Sequence, residues 1–210
     1  MQKYLLDTGY IYINGLGSGK LRLIERIVFW WWGRAGVELT QAHINWYDSD
    51  GFETKVDKLK EIAKYQLQQY EKVVLIGSSA GGSLALNAFY ELSDERIFAV
   101  NAHGRINKGK YPKKHRMSLF RRAHLDKKRK SQAFFDSVVN VEGIVIPSLS
   151  KTEKTRILVL TQITDLVVPL ETMKIEGVKT HKSLAFGHLG GFFAHLIACR
   201  KMIQRWSDSL

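Results

Sequence analysis

The sequence predicts an α/β protein: a mostly parallel sheet of about six strands with helices on both faces. Two observations carry this reading. Short apolar, β-branched runs alternate with amphipathic helical stretches along most of the chain. Several of the strand-like runs are apolar at nearly every position, as in strands covered on both sides. No internal repeat and no long low-complexity tract suggests another architecture.

The elements follow in order. Residues 10–14 form a short aromatic and β-branched strand that stops at Gly15. A helix is predicted over 20–32, ending near Gly33. Residues 38–47 read as a strand, with the turn residues Asp48, Ser49, Asp50 and Gly51 after it. Over 53–70 the apolar positions Val56, Leu59, Ile62, Ala63, Leu67 and Tyr70 share one helical face. Then come a buried strand at 72–76, a Leu-rich helix at 79–92 and a strand at 96–101. After residue 155 the alternation resumes. A strand is expected at 156–161, a short helix at 169–175, a strand at 179–186 and one closing amphipathic helix at 190–206.

The chain has 210 residues and a formal net charge of +12, from 32 Lys plus Arg against 20 Asp plus Glu. That length suits one domain, 1–210, which buries roughly 70% of the unfolded chain's surface. The single cysteine, Cys199, excludes an intramolecular disulfide and a multi-Cys zinc site. It is expected to be buried and inert in the last helix. No apolar run approaches the ~20 residues of a membrane span. The opening MQKYLLDTGYIYING holds one lysine and an apolar stretch broken by Asp7, a poor signal peptide, so a cytoplasmic location is expected.

The charge is local. Residues 103–130 hold twelve Lys or Arg, from Arg105 to Lys130, and one acid, Asp126. The remainder of the chain is almost neutral. This basic run opens a stretch, about 104–155, that interrupts the strand–helix alternation and reads as an insertion. Its only aromatics are Tyr111 and Phe120, so single-strand stacking is poorly supported. Zinc-finger and helix-turn-helix spacings are absent from the sequence. Nucleic acid is therefore an unfavoured partner, and an anionic substrate or membrane surface a better one.

The chemistry-bearing motif is KVVLIGSSAGG at 72–82. A strand leads into Gly77-Ser78-Ser79-Ala80-Gly81 and a helix follows, the context in which G-x-S-x-G acts as a nucleophile elbow. The turn strains Ser79, and the small neighbours Gly77, Ala80, Gly81 and Gly82 give the room it needs. The hydroxyl is thereby raised at a helix N-terminus, where the Ala80 amide can stabilise an oxyanion. A serine nucleophile needs a base and an acid to orient it. Asp165 just past the strand of RILVLTQITD and His188 in SLAFGHLGG occupy the expected order. His103, His181 and His195 are the competing histidines. His181 lies inside a predicted strand, and His195 in the last helix reads as a packed or surface residue.

With those pieces in place, the chain resembles the α/β-hydrolase superfamily. The matches are Tyr12-Ile13-Asn14-Gly15, Gly77 to Gly81, Asp165-Leu166-Val167-Val168-Pro169, and Gly187-His188. The resemblance implies Ser79 as nucleophile, His188 as base and Asp165 as orienting acid. It also implies an oxyanion hole from the amides of Ala80 and Leu16, and a lid formed by the basic insertion. Asn14 stands where many members have His. The first predicted strand matches the superfamily's third, so a sheet trimmed of its first two strands is expected.

The implied activity is hydrolysis of a carboxylic ester or related acyl bond on a small acyl substrate, with thioester or peptide bonds as variants. No metal or organic cofactor is expected. The alternative is a non-catalytic hydrolase-fold module that uses residues 103–130 to bind nucleic acid or anionic lipid. NGLGSGKL at 14–21 mimics a phosphate-binding loop, but Asn14 and Leu21 replace the Gly and the Ser or Thr that the motif requires. Four consecutive aromatics, Phe29 to Trp32, sweep about 100° each along a helix. They cannot share one core, so at least one Trp should line a cleft, meet the lid or reach solvent.

Overall fold

A computed structural model describes residues 6–108, 131–165, 167–186 and 188–209. The greater part of the basic segment, residues 109–130, lies outside the described residues, as do Leu166 and Gly187.

Six parallel strands form one sheet in the order β2-β1-β3-β4-β5-β6. They are β1 (Leu6–Ile13), β2 (Leu39–Gln41), β3 (Tyr70–Ser78), β4 (Ile97–Ala102), β5 (Ile157–Thr164) and β6 (Lys179–Phe186). The helices are α1 (Leu23–Gly33), α2 (Phe52–Gln66), α3 (Ala80–Leu92), α4 (Gln132–Asn140), α5 (Lys151–Thr155), α6 (His188–Ala198) and α7 (Arg200–Asp208). A π-helical turn, Val141–Val145, and a short helical turn, Ile146–Ser148, continue α4.

Strand side chains alternate between faces, and two cores follow from that period. Ile11, Ile13, Val73, Leu75, Ile97, Ala99 and Ile157 point to one side and pack with residues of α2, α3 and α4. Tyr10, Tyr12, Val74, Ile76, Phe98, Val100, Leu158 and Leu160 point to the other and pack with α1, α6 and α7. Both faces are apolar, which explains why the central strands read as continuous hydrophobic runs. Each crossover brings the chain back parallel, so the carboxyl ends of all six strands share one edge of the sheet.

Several local expectations change. The strand expected over 38–47 is cut to Leu39–Gln41. His43 takes a positive φ of 50° and ends it, and the following segment turns to pack on the loop after β1. There the Asn14 side chain accepts a hydrogen bond from the Ile44 amide (3.1 Å) and donates to the Ile44 carbonyl (2.9 Å). Trp46 Nε1 donates to the Asn14 carbonyl (3.1 Å). Ala42, Ile44 and Trp46 are buried while His43 is exposed, so the period-2 signal is real but serves a loop.

Tyr70 belongs to β3 rather than to the helix before it. The expected short helix at 169–175 is only a 3₁₀ turn, Leu170–Thr172. The single closing helix is two, broken at Cys199, whose ψ of 9° departs from the helical value. Cys199 is partly exposed, not buried.

Within the stretch 104–155, residues 132–148 and 151–155 are helical, whereas 104–108 are not. In α4, Ser137 Oγ meets Ser83 Oγ of α3 at 2.6 Å, and Asn87 Nδ2 donates to the Ser137 carbonyl at 3.0 Å. Phe134 meets Trp46 edge-on at 5.8 Å. No described helix is long and apolar enough to cross a membrane.

The aromatic run of α1 divides by helical phase. Trp32 is fully buried and donates Nε1–H to the Leu196 carbonyl (2.6 Å). Trp30 and Trp31 remain 57% and 44% exposed. With Trp46 and Trp206 also buried, only Trp30 and Trp31 should be accessible to acrylamide. The double substitution Trp30→Ser, Trp31→Ser should remove the quenchable fraction of fluorescence. It should change stability by no more than about 0.5 kcal/mol, as exposed positions usually do. Persisting quenching in that variant would contradict the division.

Candidate active site

Five polar residues gather at the carboxyl edge of the sheet because each follows a strand there. Asn14 follows β1, Ser79 follows β3, His103 follows β4, Asp165 follows β5 and His188 follows β6. Loops at this edge are where open parallel sheets hold their ligands.

Ser79 sits between β3 and α3 at φ 51°, ψ −115°, well outside the conformations a side-chain-bearing residue prefers. Close backbone approach holds it there. A Cβ on Gly77 would lie 2.2 Å from the Gly81 carbonyl oxygen, and one on Gly81 2.4 Å from the Ile13 carbonyl oxygen. Neither contact is possible for a larger residue, so the two glycines permit the elbow to close and to press against the end of β1. The Ser79 amide donates to the Ala102 carbonyl (2.9 Å), tying the turn to β4 as well.

Three side chains then connect. His188 Nδ1 is 2.7 Å from Asp165 Oδ2, and His188 Nε2 is 3.0 Å from Ser79 Oγ. An ionised carboxylate only accepts, so the Nδ1–H donates to Asp165 and leaves Nε2 to accept from the serine hydroxyl. The other carboxylate oxygen, Oδ1, accepts from the amides of Val167 (2.8 Å) and Val168 (2.9 Å). The Asp165 side chain is 1% exposed and that of His188 15%. Burial pushes the Asp165 carboxyl up. The His188 ring and the Val168 and Val167 amides outweigh it, and the group is held below its ordinary value.

The loop after β1 lies against the serine: a Cβ on Gly15 would be 3.1 Å from Ser79 Cβ. Leu16 follows it, half-buried, and its carbonyl accepts from the Arg22 guanidinium. Ala80 opens α3 and is buried. Sequence reasoning thus named the residues that converge here, and placed His188 in a loop where the structure has it opening α6.

It names the histidines behind them only as competitors of His188 and gives them no place in the site. His103, at a φ of 58° and fully buried, stands edge to face with His188 (centroids 6.3 Å) and stacks on His195 (4.8 Å). His103 Nε2 and His195 Nδ1 are 2.7 Å apart. Burial, then the nearby His195 and His188 rings, pushes His103 down to about 3. Burial and His181 push His195 down to about 4. Both rings are therefore neutral near pH 7. The available signal was the position of His103 one residue past a strand beside β3.

No protein-family model matches the chain, and no curated protein matches it. Solved structures do. The chain is similar to the pyrethroid hydrolase PytH (12% identity, TM-score 0.65, 97% of this chain and 98% of that one). It is also similar to Est1E from Butyrivibrio proteoclasticus (12%, 0.58, 98% and 87%). A third likeness is to the meta-cleavage product hydrolase CumD from Pseudomonas fluorescens IP01 (15%, 0.55, 97% and 91%). The sheet order, the helices on both faces and these likenesses define the class: the chain has the α/β-hydrolase fold.

The Ser79 strain has a measurable consequence. Glycine adopts this backbone at little cost, whereas alanine keeps the strain. Ser79→Gly should therefore be more stable than Ser79→Ala by about 1 kcal/mol in urea unfolding. Equal stabilities, or a more stable alanine variant, would show that the elbow is unstrained in solution.

Proposed function

We propose that the protein is a serine hydrolase that cleaves a carboxylic ester or related acyl bond through an acyl-enzyme on Ser79. The observation that carries this reading is the continuous chain Ser79 Oγ, His188 Nε2, His188 Nδ1, Asp165 Oδ2 at 3.0 and 2.7 Å. In the proposed reaction His188 takes the hydroxyl proton as Oγ attacks the carbonyl carbon. The imidazolium that forms is stabilised by Asp165, whose lowered pKa keeps it ionised. The amides of Ala80 and Leu16 receive the developing oxyanion, aided by the positive end of α3. His188 then gives its proton to the leaving group. It next activates a water, which attacks the acyl carbon and releases Ser79.

A fluorophosphonate probe should label the wild-type protein and fail on Ser79→Ala. On p-nitrophenyl esters of graded length, Asp165→Asn should lower kcat by about 10⁴-fold while the protein stays folded, because the wrong imidazole tautomer is then held. A wild type that neither labels nor turns over any ester would overturn the proposal.

The insertion, about 104–155, is assigned the role of lid, and its basic residues 105–130 that of attracting an anionic acyl substrate or an anionic surface. The support is its location: it leaves β4 directly after His103, beside His188, and carries nearly all the net charge. Reversing four of its lysines should lower kcat/KM for anionic esters and flatten its salt dependence, leaving neutral esters and probe labelling unchanged. Equal losses on neutral and anionic esters would remove the charge from the account.

A further inference from the structure

Behind the site, three side chains that the proposed reaction does not use converge. His181 comes from β6, His195 from α6, and Cys199 from the break between α6 and α7. Their ligand atoms all lie within 4.8 Å of one another. His181 Nδ1 is 3.2 Å from His195 Nε2 and 3.9 Å from Cys199 Sγ.

These separations approach those of a tetrahedral metal site. Zinc binds imidazole nitrogen at about 2.0–2.1 Å and thiolate at about 2.3 Å. Tetrahedral angles then set the nitrogens about 3.3 Å apart and nitrogen and sulfur about 3.6 Å apart. The nitrogen pair already has that spacing, and the His181 Nδ1 to Cys199 Sγ separation of 3.9 Å is only slightly wider than the tetrahedral one. The local structure supplies the convergence. His195 and Cys199 are four residues apart, joined by the helical bond from the Cys199 amide to the His195 carbonyl (3.0 Å), so they share a face. The strand β6 runs into α6 and brings His181 to that face.

His195 also has the partner that a metal-binding imidazole ordinarily requires. Coordination through Nε2 needs a proton on Nδ1 and an acceptor for it. His103 Nε2 lies 2.7 Å from Nδ1 and is placed to accept. Without a metal, one of His181 Nδ1 and His195 Nε2 must carry a proton to satisfy the other. A metal replaces that bond and leaves the bond to His103 intact.

We infer that His181, His195 and Cys199 form a binding site for a borderline-soft divalent ion of the zinc type. Two nitrogens and a thiolate favour such an ion over Mg²⁺ or Ca²⁺, which take oxygen ligands. The ion completes its coordination with water and fastens the α6–α7 junction to β6. Because α6 begins at His188, the site clamps the element that carries that residue. The binding does not depend on Ser79 being a nucleophile.

The test is titration of the untagged, reduced full chain with Co²⁺ after chelator treatment. One Co²⁺ per chain is expected, with the visible absorption of a four-coordinate site and a near-ultraviolet thiolate-to-metal band, both displaced by Zn²⁺. Cys199→Ser should lose the thiolate band, and it and His181→Asn should each weaken binding by at least the 10–100-fold that loss of an outer-shell partner costs. Near-ultraviolet circular dichroism establishes that each variant is folded. Ser79→Ala should titrate like the wild type, which separates this result from any failure of the hydrolase reading. The inference is overturned if folded wild type shows no saturable Co²⁺ absorption, or if Cys199→Ser keeps the spectrum and affinity of the wild type.

Discussion

The rest of the site depends on one constraint, the close backbone approach that holds Ser79 in its strained conformation. Gly81 must pass within contact of the Ile13 carbonyl, and Gly77 within contact of Gly81. That contact brings the loop after β1 up to the serine and sets the start of α3. The strain, of order 1–3 kcal/mol, is carried by the buried strands on either side. Val73, Val74 and Leu75 of β3 are fully buried, and the Ser79 amide is tied to β4. A large apolar sheet therefore stabilises a small unfavourable turn, and the turn defines where the hydroxyl stands.

Much of this was legible in the sequence for an identifiable reason. The central strands are covered on both faces, so their apolar runs are continuous and unambiguous. The elbow needs small residues at fixed positions, and Gly77, Ala80, Gly81 and Gly82 supply them. Asp165 and His188 follow strands whose ends must share an edge in any parallel sheet, so their convergence could be argued from order alone. What could not be read was structure set by single backbone dihedrals or by contacts distant in sequence. His43 ends β2 through a positive φ that no periodicity reveals. The alternating burial of residues 42–46 imitates a strand because these residues pack on Asn14. The break at Cys199 lies inside an amphipathic stretch whose helical phase continues across it.

The Asn14 position shows how a departure from a family pattern can be absorbed. The side chain bonds both backbone groups of Ile44, and the Asn14 backbone carbonyl receives Trp46 Nε1–H. All of these groups are buried, so each bond also removes a desolvation penalty. The loop that carries Gly15 and Leu16 is thus held by a structural asparagine. The residue that stands where many superfamily members have His is a brace.

The neutral histidines behind His188 bear on the electrostatics of the proposed reaction. An imidazolium forms at His188 when Ser79 attacks, and its stability depends on what lies around it. Asp165 faces it with a carboxylate held ionised by two backbone amides. The His103 ring stands edge to face with the His188 ring, centroids 6.3 Å apart. A charged His103 would oppose the imidazolium through a low-dielectric interior, where such repulsion is strongest. Burial keeps it neutral, at about 3, and its bond to His195 engages Nε2 without adding charge. The same bond leaves His195 Nε2 turned toward His181 and Cys199. One buried hydrogen bond between two imidazoles therefore lies between two proposed sites of different chemistry: a serine nucleophile paired with one negative charge, and a soft cation site where β6 meets α6.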